Sequence, residues 1–278
     1  MCGEFCLMLD KQLLREKITA FVEHDSANYW HKGLRFFDPP LLGYARVDDP
    51  LFQEMKKKEI GGGMFRPPVE WLEGAVSVIS YFLPFTEAVR RSNDVADEPS
   101  KNWLYARFEG EKLNNRLRKF IVDELAATGL RAIAPLLEDE FTIDHHLLVS
   151  NWSERHAAYA AGLGTFSLSR GLITARGIAG RFGSIITAGE YTPLPRDYSF
   201  PFQYCSWLRE GLCGSCIKRC PAGAISEDGM NKELCRQYLH QKDSLQKLRE
   251  EHGYPYSACG KCQIGVSCEG QIPSSATG

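Results

Sequence analysis

The chain has 278 residues, 44% of them apolar, which is enough for one large domain or a main domain with an appendage and too apolar for wholesale disorder. Its 33 Lys and Arg stand against 35 Asp and Glu for a net charge of −2, which argues against a protein that works mainly by gripping a phosphate backbone. Met1-Cys2-Gly3-Glu4-Phe5-Cys6 has neither the basic and apolar regions of a secretory signal nor a twin-arginine motif, and the longest apolar stretch, Ala75 to Phe85, is broken by serines and Pro84 and is too short to span a bilayer. A soluble, cytoplasmic protein with no membrane association is expected.

The first predicted element is an amphipathic helix from Lys11 to Glu23, with Leu14, Ile18, Phe21 and Val22 on one face. A Pro/Gly-rich connection follows, carrying Asp38-Pro39-Pro40, Gly61-Gly62-Gly63 and Pro67-Pro68, with interspersed aromatics that suit an ordered loop wrapped on a core. Ala75 to Phe82 reads as a buried strand, rich in β-branched and aromatic residues. Trp103 to Ala127 reads as a long helix, with Leu113, Leu117, Phe120, Ile121 and Leu125 in register and Gly129 placed as a C-terminal cap. Arg131 to Ala134 then enters a second strand, giving a β–α–β order and an α/β core. Glu154 to Ala161 is expected as a helix ending at Gly162, and Gly183 to Thr187 as a further strand. Pro193, Pro195 and Pro201 mark a change in composition, so the domain division is placed near residue 198: residues 1–198, then 199–278.

Eight of the ten cysteines fall between Cys205 and Cys268. A disulfide scaffold would suit a small secreted domain, and without an export signal metal binding is the better reading. The pattern is Cys205, then Cys213-x2-Cys216-x3-Cys220-Pro221, then Cys235, then Cys259-x2-Cys262-x5-Cys268. A C-x2-C turn lets two thiolates converge on one centre, whereas the following C-x3-C-P feeds the other cluster in two-cluster ferredoxins. This logic assigns Cys205, Cys213, Cys216 and Cys268 to one [4Fe–4S] cluster and Cys220, Cys235, Cys259 and Cys262 to a second. Two four-cysteine zinc sites are the alternative, since C-x2-C pairs suit tetrahedral zinc as well. The usual ferredoxin string has a further Cys where this chain has Glu210, so Cys205 is assigned by count alone, and the x5 spacing before Cys268 is irregular. Cys2 and Cys6 read as spare thiols.

The stretch from Ser153 to Thr187 resembles the corrinoid-binding core shared by epoxyqueuosine reductases and reductive dehalogenases. The resemblance is carried by Glu154-Arg155, Gly162-Leu163-Gly164, Leu172-Ile173-Thr174 and the return strand Gly183 to Thr187, with Trp71 to Pro84 upstream and the cysteine segment following in order. It implies a nitroreductase-like α/β core that holds base-off cobalamin, followed by a ferredoxin-like domain with two [4Fe–4S] clusters that supply electrons to it. Gly162, Leu163, Gly164, Ser167, Leu172, Thr174 and Gly183 are then the expected corrinoid-binding residues, the glycines letting backbone approach a large flat macrocycle. A low-potential donor such as ferredoxin or flavodoxin is the implied partner, and a small molecule the implied substrate.

Two departures from the family pattern bear on activity. The catalytic Asp of epoxyqueuosine reductases lies six residues before the Glu-Arg pair, and here that position is Leu148. The chain stops soon after the last cysteine, with no helical-repeat extension for tRNA, which argues against a tRNA substrate. A proton donor is needed for reduction over cobalt, and Asp144 and His145 are the nearest candidates, with a solvated turn or helix cap as the bland alternative. Tyr159 and Arg170 are weaker ones. Three functions are therefore carried forward. The first is a cobalamin-dependent reductase, the second an electron-transfer or corrinoid-carrying protein without substrate chemistry, and the third the same fold with flavin or no organic cofactor.

Overall fold

The structure is a computed structural model that describes residues 10–95, 98–251, 253–254 and 258–274; Cys2 and Cys6 lie outside the described residues. Helix α1, Lys11–His24, begins where Asp10 accepts the backbone N–H of Leu13, and it buries Leu14, Ile18 and Val22. Strand β1, Leu41–Arg46, lies inside the stretch read from sequence as an irregular connection. Strand β2, Ser77–Pro84, is buried along its whole length, which explains its unbroken apolar run. Helix α2, Lys101–Ala126, is capped by Ser100, whose hydroxyl accepts the N–H of Trp103 at 3.1 Å, and Gly129 follows it at φ 80°.

The chain continues through strand β3, Ala132–Ile133, then a hairpin of β4, Ile143–Asp144, and β5, Val149–Ser150. Helix α3, Glu154–Ala160, leads into a second hairpin of β6, Gly164–Phe166, and β7, Leu172–Thr174. Strand β8, Gly180–Thr187, completes the main sheet, whose order is β1–β2–β8–β3 with every neighbouring pair antiparallel. The expected β–α–β passage from β2 through α2 to β3 is present, and those two strands are parallel because each is antiparallel to β8. The sequence reading missed that β8 is inserted between them. An antiparallel centre, rather than adjacent parallel strands, is the correction.

The sheet separates two apolar layers. Tyr44, Ile79, Tyr81, Leu83 and Ile185 face α1 and α2 on one side. Ala45, Val78, Phe82 and Ile186 face α3, Trp152 and the cysteine segment on the other, where Tyr198, Tyr204, Cys205 and Ile225 belong to the same apolar cluster. The composition change near residue 198 is thus crossed by continuous packing.

One buried charge ties the layers together. Arg118, on α2, donates to Glu111 at 2.9 Å, to Asn115 at 2.6 Å, to the carbonyl of Phe182 at 3.0 Å and to Glu154 at 3.2 Å. Ser184 also donates to Glu154. Burial alone would raise the Glu111 carboxyl, but Arg181, Arg118 and Arg107 around it hold it at about 2.

Gly183 sits in β8 directly opposite Tyr81, and a Cβ there would lie 2.2 Å from the Tyr81 ring and hydroxyl. Tyr81 is fixed in turn by donating to Asn114 Oδ1 at 2.7 Å. The ring therefore cannot swing aside without breaking a buried hydrogen bond. Gly183→Ala is expected to destabilise the protein by about 1–3 kcal/mol, the usual cost of overpacking a core. The loss should appear as a lower urea midpoint in protein stripped of every cofactor.

Candidate metal centres and the adjoining cleft

Beyond residue 198 the chain forms short helices joined by left-handed turns. Cys205 precedes helix α4, Ser206–Glu210, which ends at Gly211 with φ 70°. Cys213 has φ 92° and Gly214 φ 63°, so the backbone turns back tightly before helix α5, Ser215–Arg219, which carries Cys216. A non-glycine residue with positive φ is uncommon, and here it holds a thiol toward its neighbours. Cys205, Cys213, Cys216 and Cys268 line one cavity together with Ser167, Trp207 and Val266. Burial pushes the Cys268 thiol up to about 12, with Cys205, Cys216 and Cys213 adding to the shift. Cys216 is pushed to about 11, first by burial and then by Cys205 and Cys213. Cys213 is the exposed member, and burial of its sulfur is outweighed by the hydroxyls of Ser215 and Ser267, each 3.2 Å away, which hold it below the ordinary thiol value.

A second quartet forms beside the first. Cys220 ends α5, and its sulfur accepts the N–H of Ala224 at 3.3 Å. Cys235 lies on helix α6, Lys232–Gln241, and burial followed by the neighbouring Cys220 raises its pKa. Cys259 is pushed to about 11 by burial, with Cys235 and Cys220 contributing upward. Cys262 is raised most strongly by burial, then by Cys259, Cys235, Cys220 and, from the first quartet, Cys216. Cys235, Cys259 and Cys262, raised first by burial and further by neighbouring thiols, are groups that one shared positive centre would deprotonate.

The loop holding Cys259 and Cys262 is pinned to the core. Gly260, at φ 69°, abuts the Trp103 indole so closely that a Cβ would lie 2.0 Å from it. Lys261 is buried and donates to the carbonyls of Asn93 at 2.9 Å and Val95 at 2.7 Å, while Asn93 Nδ2 donates to the Cys259 carbonyl at 3.0 Å. On the other flank, the N–H of Ile178 donates to the carbonyl of Cys268 at 2.9 Å. Among the described residues no three His, Cys, Asp or Glu side chains are placed to hold a single metal ion.

The residues expected to bind a corrinoid are placed unequally. Gly162, at φ 82°, ends α3, and the following Leu163 N–H bonds back to the carbonyl of Ala158 at 2.9 Å. Gly164 pairs with Thr174 across the β6–β7 hairpin, where a Cβ would strike the Ile173 carbonyl at 1.9 Å, and Leu172 and Thr174 are fully buried. Gly183 has the packing role described above. Ser167 lines the first thiol cavity, its hydroxyl 3.0 Å from that of Ser169 and 3.1 Å from the Gly171 carbonyl.

Asp144 and His145 lie at the tip of the β4–β5 hairpin. Asp144 accepts the N–H groups of His146 and Leu147, both at 2.8 Å, and these bonds hold its carboxyl below the usual range, so it is ionised at neutral pH. His145 is exposed. Leu148, in the same tip, has φ 53°, and its carbonyl receives Lys232 Nζ at 2.8 Å. Tyr159 packs against Phe166 and Tyr198.

His156 and Lys232, which sequence reasoning passed over, lie near Arg155 and Arg170, which it had named. Glu154 turns inward to Arg118, which leaves Arg155 facing out, with its Nη1 donating to the Arg170 carbonyl at 2.6 Å. His156 is 2.8 Å from the Ser153 hydroxyl, and burial, then Arg155 and Lys232, press its pKa down to about 4, so its ring is neutral. Arg155 and Arg170 are exposed and Lys232 is half-buried; the charges of Arg170 and Arg155 lower the pKa of Lys232, and Cys262 of the second quartet acts on Arg155. Among the described residues no helix is long and apolar enough to cross a membrane.

No family model and no curated protein matches this chain. Solved structures do. An epoxyqueuosine reductase from Bacillus subtilis, with its catalytic aspartate loop swung out of the active site, superposes with TM-score 0.53 at 16% identity, covering 95% of this chain and 70% of its own. An epoxyqueuosine reductase with an epoxyqueuosine-modified tRNA-Tyr stem loop gives TM-score 0.54 at 16% identity over 96% of this chain and 68% of its own. The enzyme from Streptococcus thermophilus gives 0.53 at 17% identity over 93% and 66%. The resemblance read from Glu154-Arg155, the Gly162–Gly164 turn and the return strand therefore holds at the level of the fold: this chain has the fold of the epoxyqueuosine reductases.

Proposed function

We propose that this protein is an iron–sulfur, cobalamin-dependent reductase in which two [4Fe–4S] clusters deliver electrons to a base-off corrinoid that reduces a small substrate. The observation that carries the reading is the pair of thiol quartets set side by side on a fold shared with epoxyqueuosine reductases. The donor chemistry fits two cubes of four irons, each taking four thiolates, and the C-x2-C-x3-C-P string from Cys213 to Pro221 favours iron–sulfur over zinc. Cys205, Cys213, Cys216 and Cys268 would hold the outer cluster, and Cys220, Cys235, Cys259 and Cys262 the inner one. The exposed Cys213 makes the outer quartet the natural entry for a low-potential donor such as ferredoxin or flavodoxin.

A bound corrinoid would supply low-valent cobalt, and so the hard reductive chemistry. The fit of the pocket residues to it is mixed. Gly162 is partly exposed and Ser167 lines the first thiol cavity, whereas Leu163, Gly164, Leu172, Thr174 and Gly183 are filled by the protein's own packing. The chain's own contribution beside the inner quartet is charge and shape: Arg155, Arg170 and Lys232 supply positive potential, His156 stays neutral, and Phe166 packs against its ring 4.9 Å away. A small substrate, rather than tRNA, is part of the proposal.

The alternative is a protein that reduces or carries corrinoid without substrate chemistry of its own. It is favoured by Leu148, an apolar residue at the position of the family's catalytic aspartate, and by the engagement of Asp144 in its own turn.

Anaerobically purified protein should contain about eight irons and eight sulfides per chain. Cys205→Ala should leave about four of each, with the second cluster's spectrum intact. A stoichiometric zinc content in place of iron would overturn the cluster assignment. Added hydroxocobalamin should bind and show a base-off spectrum, and its failure to bind would remove the corrinoid from the proposal. The two readings separate on Asp144→Asn combined with His145→Gln: turnover should fall at least tenfold for an enzyme that uses this hairpin as its proton source, while the rate of cobalt reduction, followed by absorbance, should not change for a carrier.

A further inference from the structure

The C-x2-C loop of the second quartet carries a lysine immediately before Cys262, and its side chain runs into the protein. Lys261 is only 2% exposed. Its Nζ donates to the carbonyl of Asn93 at 2.9 Å and to that of Val95 at 2.7 Å. Asn93 is fully buried; its side chain donates to the Cys259 carbonyl at 3.0 Å and accepts the N–H of Ser100 at 2.9 Å. Two hydrogen bonds through one residue therefore join the ammonium to the backbone of the first cysteine in its loop. The next residue, Asp94, pairs with Arg219 at 3.0 Å, and Arg219 directly precedes Cys220. Residues 93–95 thus hold one cation from each of two segments that supply this quartet.

A lysine is seldom buried whole, because taking an ammonium out of water is costly. Accepting carbonyls favour its charged form, yet they bring dipoles and no negative charge. An apolar side chain could anchor the loop without that cost, as the packing of Gly260 on the Trp103 indole already does. A buried cation becomes favourable where negative charge gathers beside it, and a cube held by four thiolates is such a charge. The charge of Lys261 acts in this direction on Cys259, drawing its thiol down against the effect of burial.

We propose that Lys261 sets the potential of the inner cluster, its ammonium favouring the reduced form from the position fixed by Asn93 and Val95. The proposal rests on the assignment of Cys220, Cys235, Cys259 and Cys262 to one [4Fe–4S] cluster. The step it assists is the passage of one electron from the outer cluster to the inner one, with no bond made or broken and no proton moved. The positive charge, fixed in a low-dielectric setting, offsets the negative charge that the inner site gains.

The test uses full-length protein reconstituted anaerobically, with iron and sulfide counted and both midpoint potentials read by EPR-monitored redox titration. The Cys205→Ala protein, which should keep only the inner cluster, identifies that cluster's signal. Lys261→Gln keeps an N–H donor for the carbonyls and removes the charge. It should retain about eight irons while the inner cluster becomes about tenfold harder to reduce, a fall of about 59 mV for one electron. The outer midpoint should not move, and Lys261→Arg should restore the inner one.

An unmoved inner midpoint in loaded Lys261→Gln would overturn the proposal. Equal falls at both clusters would do the same, since they would mark a general loosening of the segment. Loss of the inner irons with the outer ones retained would make Lys261 a structural tie needed for loading, and its electrostatic role would be overturned. Absence of any iron–sulfur signal in the parent protein is a different result: it sinks the cluster assignment itself, whereas loaded clusters with an insensitive midpoint sink only the role of Lys261.

Discussion

The structure depends on one completely buried guanidinium. Arg118 has no exposed surface, and a charge so placed is tolerated only when its donors are met with good geometry. Glu111, Asn115, Glu154 and the Phe182 carbonyl meet them. These partners lie on α2 itself, on β8 and at the start of α3, so a single side chain links three elements distant in sequence. The consequence reaches the surface. With Glu154 drawn inward to Arg118 and Ser184, the next residue of the same helix turn must face elsewhere, and Arg155 is presented to solvent, where it bonds the Arg170 carbonyl. The adjacent Glu-Arg pair therefore divides its labour, the acid for the core and the base for the surface.

The thiol quartets are built on the opposite principle. Burial first, and neighbouring sulfurs second, raise the thiols of Cys216, Cys235, Cys259, Cys262 and Cys268, so without a cation these groups resist being charged together. Packing supplies the confinement: Gly260 lies flat on Trp103, Lys261 is anchored to the Asn93 and Val95 carbonyls, and Ile178 bonds the carbonyl of Cys268. A metal cluster would convert that mutual repulsion into ligation, and for this reason such segments gain most of their rigidity on loading.

Local pattern made much of this legible. The helices α1 and α2 and the buried strand β2 follow from periodicity and caps, and the two cysteine sets follow from spacing, with Cys205 joining the first cavity although no spacing rule identified it. Strand β1 was hidden because Pro39, Pro40 and Gly43 look like breakers; Gly43 is needed because the Ala161 carbonyl would lie 2.4 Å from a Cβ there. The insertion of β8 between β2 and β3 was hidden because strand order is a non-local property. Gly183 shows the limit of reading glycines. One required by a tyrosine ring across a strand pair and one required by a flat cofactor look identical in sequence. Asp144 was read as a candidate acid because it sits among histidines, and only its bonds to two backbone N–H groups reveal a turn-former. The meeting of Arg155 and Lys232, 77 positions apart in the numbering, had no local signal at all.

On the proposed function, the distribution of fixed charge also orders the electron path. The inner quartet has the buried ammonium of Lys261 between two of its cysteines and Arg155 within reach of Cys262. The outer quartet has hydroxyl donors at Cys213 but no buried cation among the groups that shift its thiols. A cluster gains negative charge on reduction, so nearby positive charge in a low-dielectric setting favours its reduced state. The inner cluster should therefore be the easier of the two to reduce, and electrons arriving at the exposed quartet would run downhill to the inner one.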